Sequence, residues 1–171
     1  MSSKEKKIRD FDPNSVGDKK NNLFGLPFTT EEADIVIIPV PWEVTVSYGS
    51  GTAKGPAAIF DSSFQVDLFD PEIPELWKAG MAMDTIPGAL LRKSNALRKK
   101  TEKYIAKLSK GADPEKDKTL KTVQKEVNRE CENMVKHVEE KVLHFAEKGK
   151  LVALLGGDHS TPLGMMKALE K

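Results

Sequence analysis

The stretch that decides the fold is residues 151–160, LVALLGGDHS. Its first five residues, 151–155, form a continuous apolar run, without the alternation of a half-exposed strand. Such a run predicts a strand covered on both faces, as in a parallel sheet between layers of helices. A second run of this kind, Ile35–Ile38, lies near the other end of the chain. Helical patterns lie between the two runs, and this order predicts an α/β fold with parallel strands and right-handed crossovers.

Several shorter patterns fill the chain between and around these runs. Apolar residues recur every three or four positions from Leu120 to Phe145, which predicts one long amphipathic helix that packs on the sheet. A weaker pattern predicts another amphipathic helix from Leu90 to Leu108. The remaining expectations are a helix from Pro56 to about Phe64, a short strand at Met81–Met83, a helix cap at Gly149 and an end of the first ladder at Pro39 and Pro41.

The domain organisation follows from the polar start of the chain. Residues 1–33 are polar and irregular, and we expect an arm that lies over a domain formed by residues 34–171. A parallel sheet of two or three strands leaves its edges unpaired, which makes it a poor independent domain. We therefore expect a three-layer α/β/α domain that is incomplete in this chain, as in a fragment, a split gene or a truncated reading frame.

Composition excludes several classes of protein. The chain has 171 residues, with 27 basic against 26 acidic ones, so its net charge does not favour binding to nucleic acid or to an anionic membrane. The single cysteine, Cys131, excludes an intrachain disulfide and fits a reducing compartment. No apolar stretch has the length of a signal sequence or of a membrane span. These features predict a cytoplasmic protein.

The loop after the second apolar run carries the candidate chemistry. Gly156 and Gly157 allow a sharp turn at the carboxyl end of a strand, where open α/β folds place their active sites. The imidazole of His159 suits a transition metal, and Asp158 could hold the other ring nitrogen or cap the next helix. The alternative is an ordinary turn in which Asp158 or Ser160 caps a helix and His159 lies on the surface.

Three segments resemble the ureohydrolases, the family of arginase, agmatinase and formimidoylglutamase. LLGGDHS, residues 154–160, resembles the first metal-binding signature of that family. Residues 35–60, IVIIPVPWEVTVSYGSGTAKGPAAIF, resemble its opening strand, glycine-containing loop and helix start, although Phe60 stands where the family usually has arginine. GMAMDTIPG, residues 80–88, resembles its short acidic stretch more weakly. The resemblance covers roughly residues 34–169 and is closest in character to agmatinases.

The resemblance implies an arginase-like fold and a hydrolase that releases urea or formamide from a small guanidino or formimino substrate. It also implies two Mn²⁺ ions in a complete site, with His159 as a ligand, Asp158 behind it and a homo-oligomeric enzyme. The family's later DAHxD and SxDxDxxDP motifs do not occur in this sequence, so no catalytic residue is identifiable. We expect the chain to be inactive alone. The alternative function is a noncatalytic half-protein that assembles with a complementary chain.

Other candidate residues have plainer interpretations. His137 and His144 are seven positions apart on the long helix and are expected on its exposed polar side. The glycine-rich segment 49–55 suggests a phosphate loop, but it lacks the Gly-Lys-Ser/Thr ending and is better explained as a rim loop. Cys131 is expected to pack within the helix stripe. The aromatic residues Trp42, Tyr48 and Trp77 could line a pocket but are expected in the core.

Overall fold

A computed structural model describes residues 1–46 and 49–171. Its three parallel strands are β1 (Ile35–Val40), β2 (Met81–Met83) and β3 (Leu151–Gly156), in the order β2-β1-β3. The helices of the described residues are α1 (Ser3–Asp10), α2 (Gly55–Ser63), α3 (Gly88–Leu108), α4 (Lys118–Ala146) and α5 (Pro162–Leu169). The two apolar runs pair directly, which confirms the predicted α/β class and parallel sheet.

The proline in β1 corrects one prediction. The ladder with β3 runs through Pro39 to the last residue of β1, so the expected end at Pro39 is wrong. Asp34 O accepts from Leu151 N on the β3 side, whereas Ile37 O accepts from Asp84 N on the β2 side. Backbone groups alternate between the two neighbours, so Pro39 faces the β2 side. Since β2 has already ended there, no N–H is needed and proline is tolerated.

Helix α4 packs its apolar stripe against β1, as predicted. Its first turn is capped by Asp117, whose carboxylate accepts from the amides of Thr119 and Leu120. Gly149, at φ +72°, lies where the chain leaves the helix. The buried cluster shared by β1 and α4 contains Val36, Ile38, Val40, Val127, Met134, Val138, Val142 and Phe145.

The first 33 residues supply buried side chains as well as surface cover. Leu26 and Phe28 lie in a second core cluster with Trp77 and Ala82. Asn22 lies beside the outer edge of β2, and its side-chain amide bonds to the backbone of Met83. This contact covers backbone groups that an edge strand otherwise leaves unpaired.

The other edge of the sheet is open among the residues that the structure describes. Residues 152–155 of β3 are only half-buried, and Leu151 is 66% exposed. The neighbouring helix α5 exposes Leu163, Met166 and Leu169. The prediction that this run is covered on both faces is therefore wrong for β3, whose side chains stay half-exposed among the described residues.

Helix α3 departs from its predicted apolar stripe. Leu97 is buried as expected, but Ile105 and Leu108 are exposed. Two polar residues, Ser94 and Thr101, are buried on the same side as Leu97. The buried side of α3 therefore offers hydroxyl groups to the chain beside it.

In the described part of the chain, no helix combines the length and the apolar character needed to cross a membrane.

Candidate active site at the carboxyl end of the sheet

An open cleft of about 640 Å³ lies beyond the carboxyl end of β3. Open parallel sheets bind ligands in this position, because the loops after the strands gather there. One wall comes from the loop that follows β1, and the other from the turn between β3 and α5. The described lining residues are Thr45, Val46, Gly49, Ser50, Thr52, Gly157, Asp158, His159 and Ser160.

His159 and Asp158 lie on the β3–α5 turn in different environments. His159 is exposed and lines the cleft, whereas Asp158 is only 6% exposed. Asp158 Oδ1 accepts from Ser160 N at 2.9 Å and from Ser160 Oγ at 2.7 Å. Thr161 N and Oγ1 both donate to Asp158 O. Asp158 therefore fixes the turn that carries His159, and its support of a metal ligand stays a prediction.

Asp158 also holds an unused acceptor. Its Oδ2 atom is buried and has no hydrogen-bond partner among residues 1–46 and 49–171. A buried carboxylate oxygen without a donor costs free energy. This oxygen can accept one further hydrogen bond.

Gly157 allows the two walls to touch. A Cβ atom at Gly157 would lie 2.4 Å from Thr52 Cβ, far inside van der Waals contact. A Cβ at Gly156 would lie 3.2 Å from Val40 O and 3.1 Å from Thr161 Oγ1. Both glycines are needed for close approach of neighbouring groups, with the tighter requirement at Gly157.

Glu43 organises the opposite wall and was missed by the sequence analysis. Its carboxylate, on a residue only 6% exposed, accepts from Gly51 N at 2.7 Å and Ala53 N at 2.9 Å. Burial raises the pKa of Glu43, but the hydrogen bonds from Ala53, Gly51 and Thr52 outweigh burial and leave the pKa below its ordinary value. An acid shortly before a glycine-rich loop was the only signal available in the sequence.

The same contacts decide between the two interpretations of segment 49–55. A phosphate loop binds its ligand through backbone N–H groups that point at the anion. Here the amides of Gly51 and Ala53 point at Glu43 instead. The segment is thus a cleft wall held by an internal carboxylate.

The remaining candidates lie away from His159 or serve packing. His144 is exposed, as predicted, but His137 is half-buried, so the prediction of an exposed side chain is wrong for it. Burial, and then the charge of Lys141, lowers the pKa of His137. Burial, and then the charge of Asp158, raises the pKa of the Cys131 thiol, which fits a packing role.

The three aromatic candidates were expected in the core, and the structure describes two of them. Trp42 and Trp77 are buried, as expected for core residues. Tyr48 lies outside the described residues.

A metal ion fits this site only in part. His159 presents an exposed imidazole to an open cleft, which suits a single ligand position. No group of three or more His, Cys, Asp or Glu side chains within the described residues could hold an ion. The residues that the structure describes therefore do not form a complete metal site.

Comparison with known proteins identifies the family. The family model described as the arginase family matches residues 33–171, which include both walls of the cleft. This chain belongs to the arginase family. The resemblance of LLGGDHS and of residues 35–60 to ureohydrolases is thereby confirmed.

One curated relative shows how much of a known protein this chain matches. The N(1)-aminopropylagmatine ureohydrolase of Synechocystis sp. is 26% identical over 140 residues. Those residues make up 82% of this arginase-family chain but 36% of the relative, so the chain spans about a third of its length. No solved structure shows a significant match.

Proposed function

We propose that this chain supplies both walls of the described cleft and one metal ligand, His159, of a manganese-dependent hydrolase that releases urea from a guanidino compound. The observation that carries the proposal is the position of His159. It is an exposed imidazole at the carboxyl end of a parallel strand, in an arginase-family chain. When bound, a pair of Mn²⁺ ions would acidify a water molecule enough for it to attack a guanidinium carbon at neutral pH.

The described side chains have separate tasks in this proposal. Asp158 holds the turn through Ser160, so that the His159 imidazole stays in the cleft. Gly157 and Thr52 keep the two walls in contact. The other ligands and the general acid–base come from residues outside this sequence, because the family's later ligand motifs do not occur in it.

The substrate class follows from the family and from its curated relative. That relative is named for N(1)-aminopropylagmatine, a guanidino compound, and the opening segment of our chain resembles agmatinases. We therefore favour agmatine or a related guanidino amine over arginine or formimidoylglutamate.

The test compares the chain alone with the chain placed in a complete enzyme. In a chimera, the 140 residues of this chain that match the Synechocystis relative would replace their counterpart in that enzyme. Urea release is measured with agmatine and Mn²⁺. We expect background activity from the purified chain and activity above background from the chimera. Turnover by the isolated chain would show that the site does not need outside ligands.

A second candidate function is assembly without catalysis. The open edge of β3, with half-buried apolar residues and the exposed apolar side of α5, favours a chain that associates with a complementary one. Sedimentation of the purified chain measures its state of association and distinguishes a folded species of defined size from misfolded aggregates. A chain that is monodisperse alone and binds no partner would count against the assembly function.

A further inference from the structure

Glu43 is a buried charge whose hydrogen-bond partners among the described residues are uncharged groups, while the charge of Arg98 also helps to lower its pKa. Its Oε2 atom accepts from Gly51 N at 2.7 Å, from Ala53 N at 2.9 Å and from Thr52 Oγ1 at 3.4 Å. A carboxylate is costly to bury unless such charge-assisted bonds replace its hydration. The carboxylate therefore determines the path of residues 51–53.

The base of this arrangement is a row of side chains on α3. Ser94, Arg98 and Thr101 are spaced by four and three positions, so they share one side of the helix. Glu43 N donates to Ser94 Oγ at 2.9 Å, and Thr101 Oγ1 donates to Val44 O at 2.6 Å.

Arg98 extends the row by one further bond, from its Nη1 to Val46 O. The three α3 side chains thus hold the backbone of residues 43–46, and with it the starting point of the Glu43 side chain.

The upper end of the arrangement reaches the His159 turn. Thr52 lies between Gly51 and Ala53, whose amides donate to Glu43, and it packs directly on Gly157. Gly157 is two residues before His159. A path of direct contacts thus runs from α3 through Glu43 and Thr52 to the turn that carries the imidazole.

We propose that Glu43 is a positioning residue of this cleft. Its carboxylate sets the wall at residues 51–53, and the contact between Thr52 and Gly157 transmits that placement to His159. The proposal rests on the proposed function only in regarding the cleft as the reaction site. The hydrogen bonds of Glu43 to residues 51–53 depend on neither metal nor turnover. The positioning role and the proposed function can therefore fail separately.

The experiment reads His159 directly by NMR in the full chain. The chain has three histidines, so His159→Gln assigns the imidazole signals. Glu43→Gln keeps the size of the side chain but removes its charge. We expect amide exchange at Gly51 and Ala53 to accelerate by about tenfold or more, and the His159 imidazole signals to shift.

Two further variants separate positioning from general stability. Thr52→Gly removes the whole side chain that contacts Gly157, including its hydroxyl bond to Glu43 Oε2, but leaves both amide bonds to Glu43. We therefore expect the His159 signals to shift, with exchange at Gly51 and Ala53 changing less than in Glu43→Gln. Glu32→Gln alters another hydrogen-bonded carboxylate, in the segment before β1, and should leave the His159 signals unchanged.

The outcomes divide cleanly. Faster exchange in Glu43→Gln with unmoved His159 signals would reduce Glu43 to a local loop contact and overturn the proposal. Unmoved His159 signals in Thr52→Gly would overturn it as well, even if Glu43→Gln did not fold. Shifted signals in Glu32→Gln would show that His159 responds to any loss of stability, which also defeats it.

Discussion

The side-chain amide of Asn22 binds both backbone groups of Met83. Asn22 Oδ1 accepts from Met83 N at 2.8 Å, and Asn22 Nδ2 donates to Met83 O at 3.3 Å. A neighbouring strand would make the same kind of two-way exchange with a residue at the edge of a sheet. One side chain thus takes the place of a fourth strand at β2.

Replacing Asn22 by alanine should destabilise the fold. Met83 would lose two partners at a partly buried position, and we expect a loss of about 1–3 kcal/mol in the free energy of unfolding. Urea denaturation measures it. Asn14→Ala is the matched control, because Asn14 is exposed and its change should stay within about 0.5 kcal/mol. Equal effects in both variants would contradict the edge role of Asn22.

A methyl group at position 157 should force the cleft walls apart. In Gly157→Ala the new Cβ would meet Thr52 Cβ at 2.4 Å, and such overpacking costs about 1–3 kcal/mol. Adding Thr52→Gly should recover part of the loss, which a double-mutant cycle by thermal or urea unfolding detects. Gly55→Ala is the control, since a Cβ there meets nothing within 4 Å. Strictly additive effects would refute the contact.

Glu32 should make the protein sensitive to acid. Burial raises the pKa of Glu32, but hydrogen bonds from Lys7, Ser3 and Thr29 prevail and bring it from 4.5 to about 2. Because the folded state has the lower pKa, the stabilisation is complete above about pH 4.5 and is lost as the pH falls towards about 2.

Glu32→Gln should therefore cost about 1–3 kcal/mol of unfolding free energy at neutral pH and little near the acid end of that range. Urea unfolding at several pH values measures the difference. Its neighbour Glu31, an exposed partner of Lys148, provides the control, and Glu31→Gln should leave the pH dependence nearly unchanged. A pH-independent loss in Glu32→Gln would mean that packing, rather than charge, stabilises this segment.

His159→Ala in the complete enzyme or the chimera should reduce activity by about 100-fold or more at limiting metal, and it should lower bound Mn²⁺, because losing one imidazole weakens the binding of one of the two ions. Excess Mn²⁺ should restore part of the activity, because the remaining ligands still bind the ion weakly. The measurements are urea release and metal content at several Mn²⁺ concentrations.

His144→Ala and His137→Ala are the controls for that experiment. His144 is exposed on α4, whereas His137 is half-buried and its variant must first be shown to fold. A His159→Ala enzyme that matched His144→Ala in both measurements would remove His159 from the site.

Local sequence patterns were sufficient to predict the main strands and helices, but not the contacts that form the cleft wall opposite His159. The runs at Ile35–Ile38 and 151–155 and the period of α4 are properties of neighbouring residues, so the sequence predicts them. The bond from Glu43 N to Ser94 Oγ joins residues 51 positions apart, and no spacing rule identifies such a pair. The tolerance of Pro39 likewise depends on where β2 ends, which a sequence pattern does not express.

Because the amides of Gly51 and Ala53 point at Glu43, that wall cannot offer their positive partial charges to a ligand. Asp158 is the only formal charge among the described lining residues when His159 is neutral. The lining itself therefore carries one formal negative charge and no formal positive charge, whereas Arg98 lies behind it, bonded to Val46 O. We expect this lining to favour a guanidinium or a metal cation over phosphate and carboxylate groups, and added salt should weaken that preference beyond a screening length of about 8–10 Å.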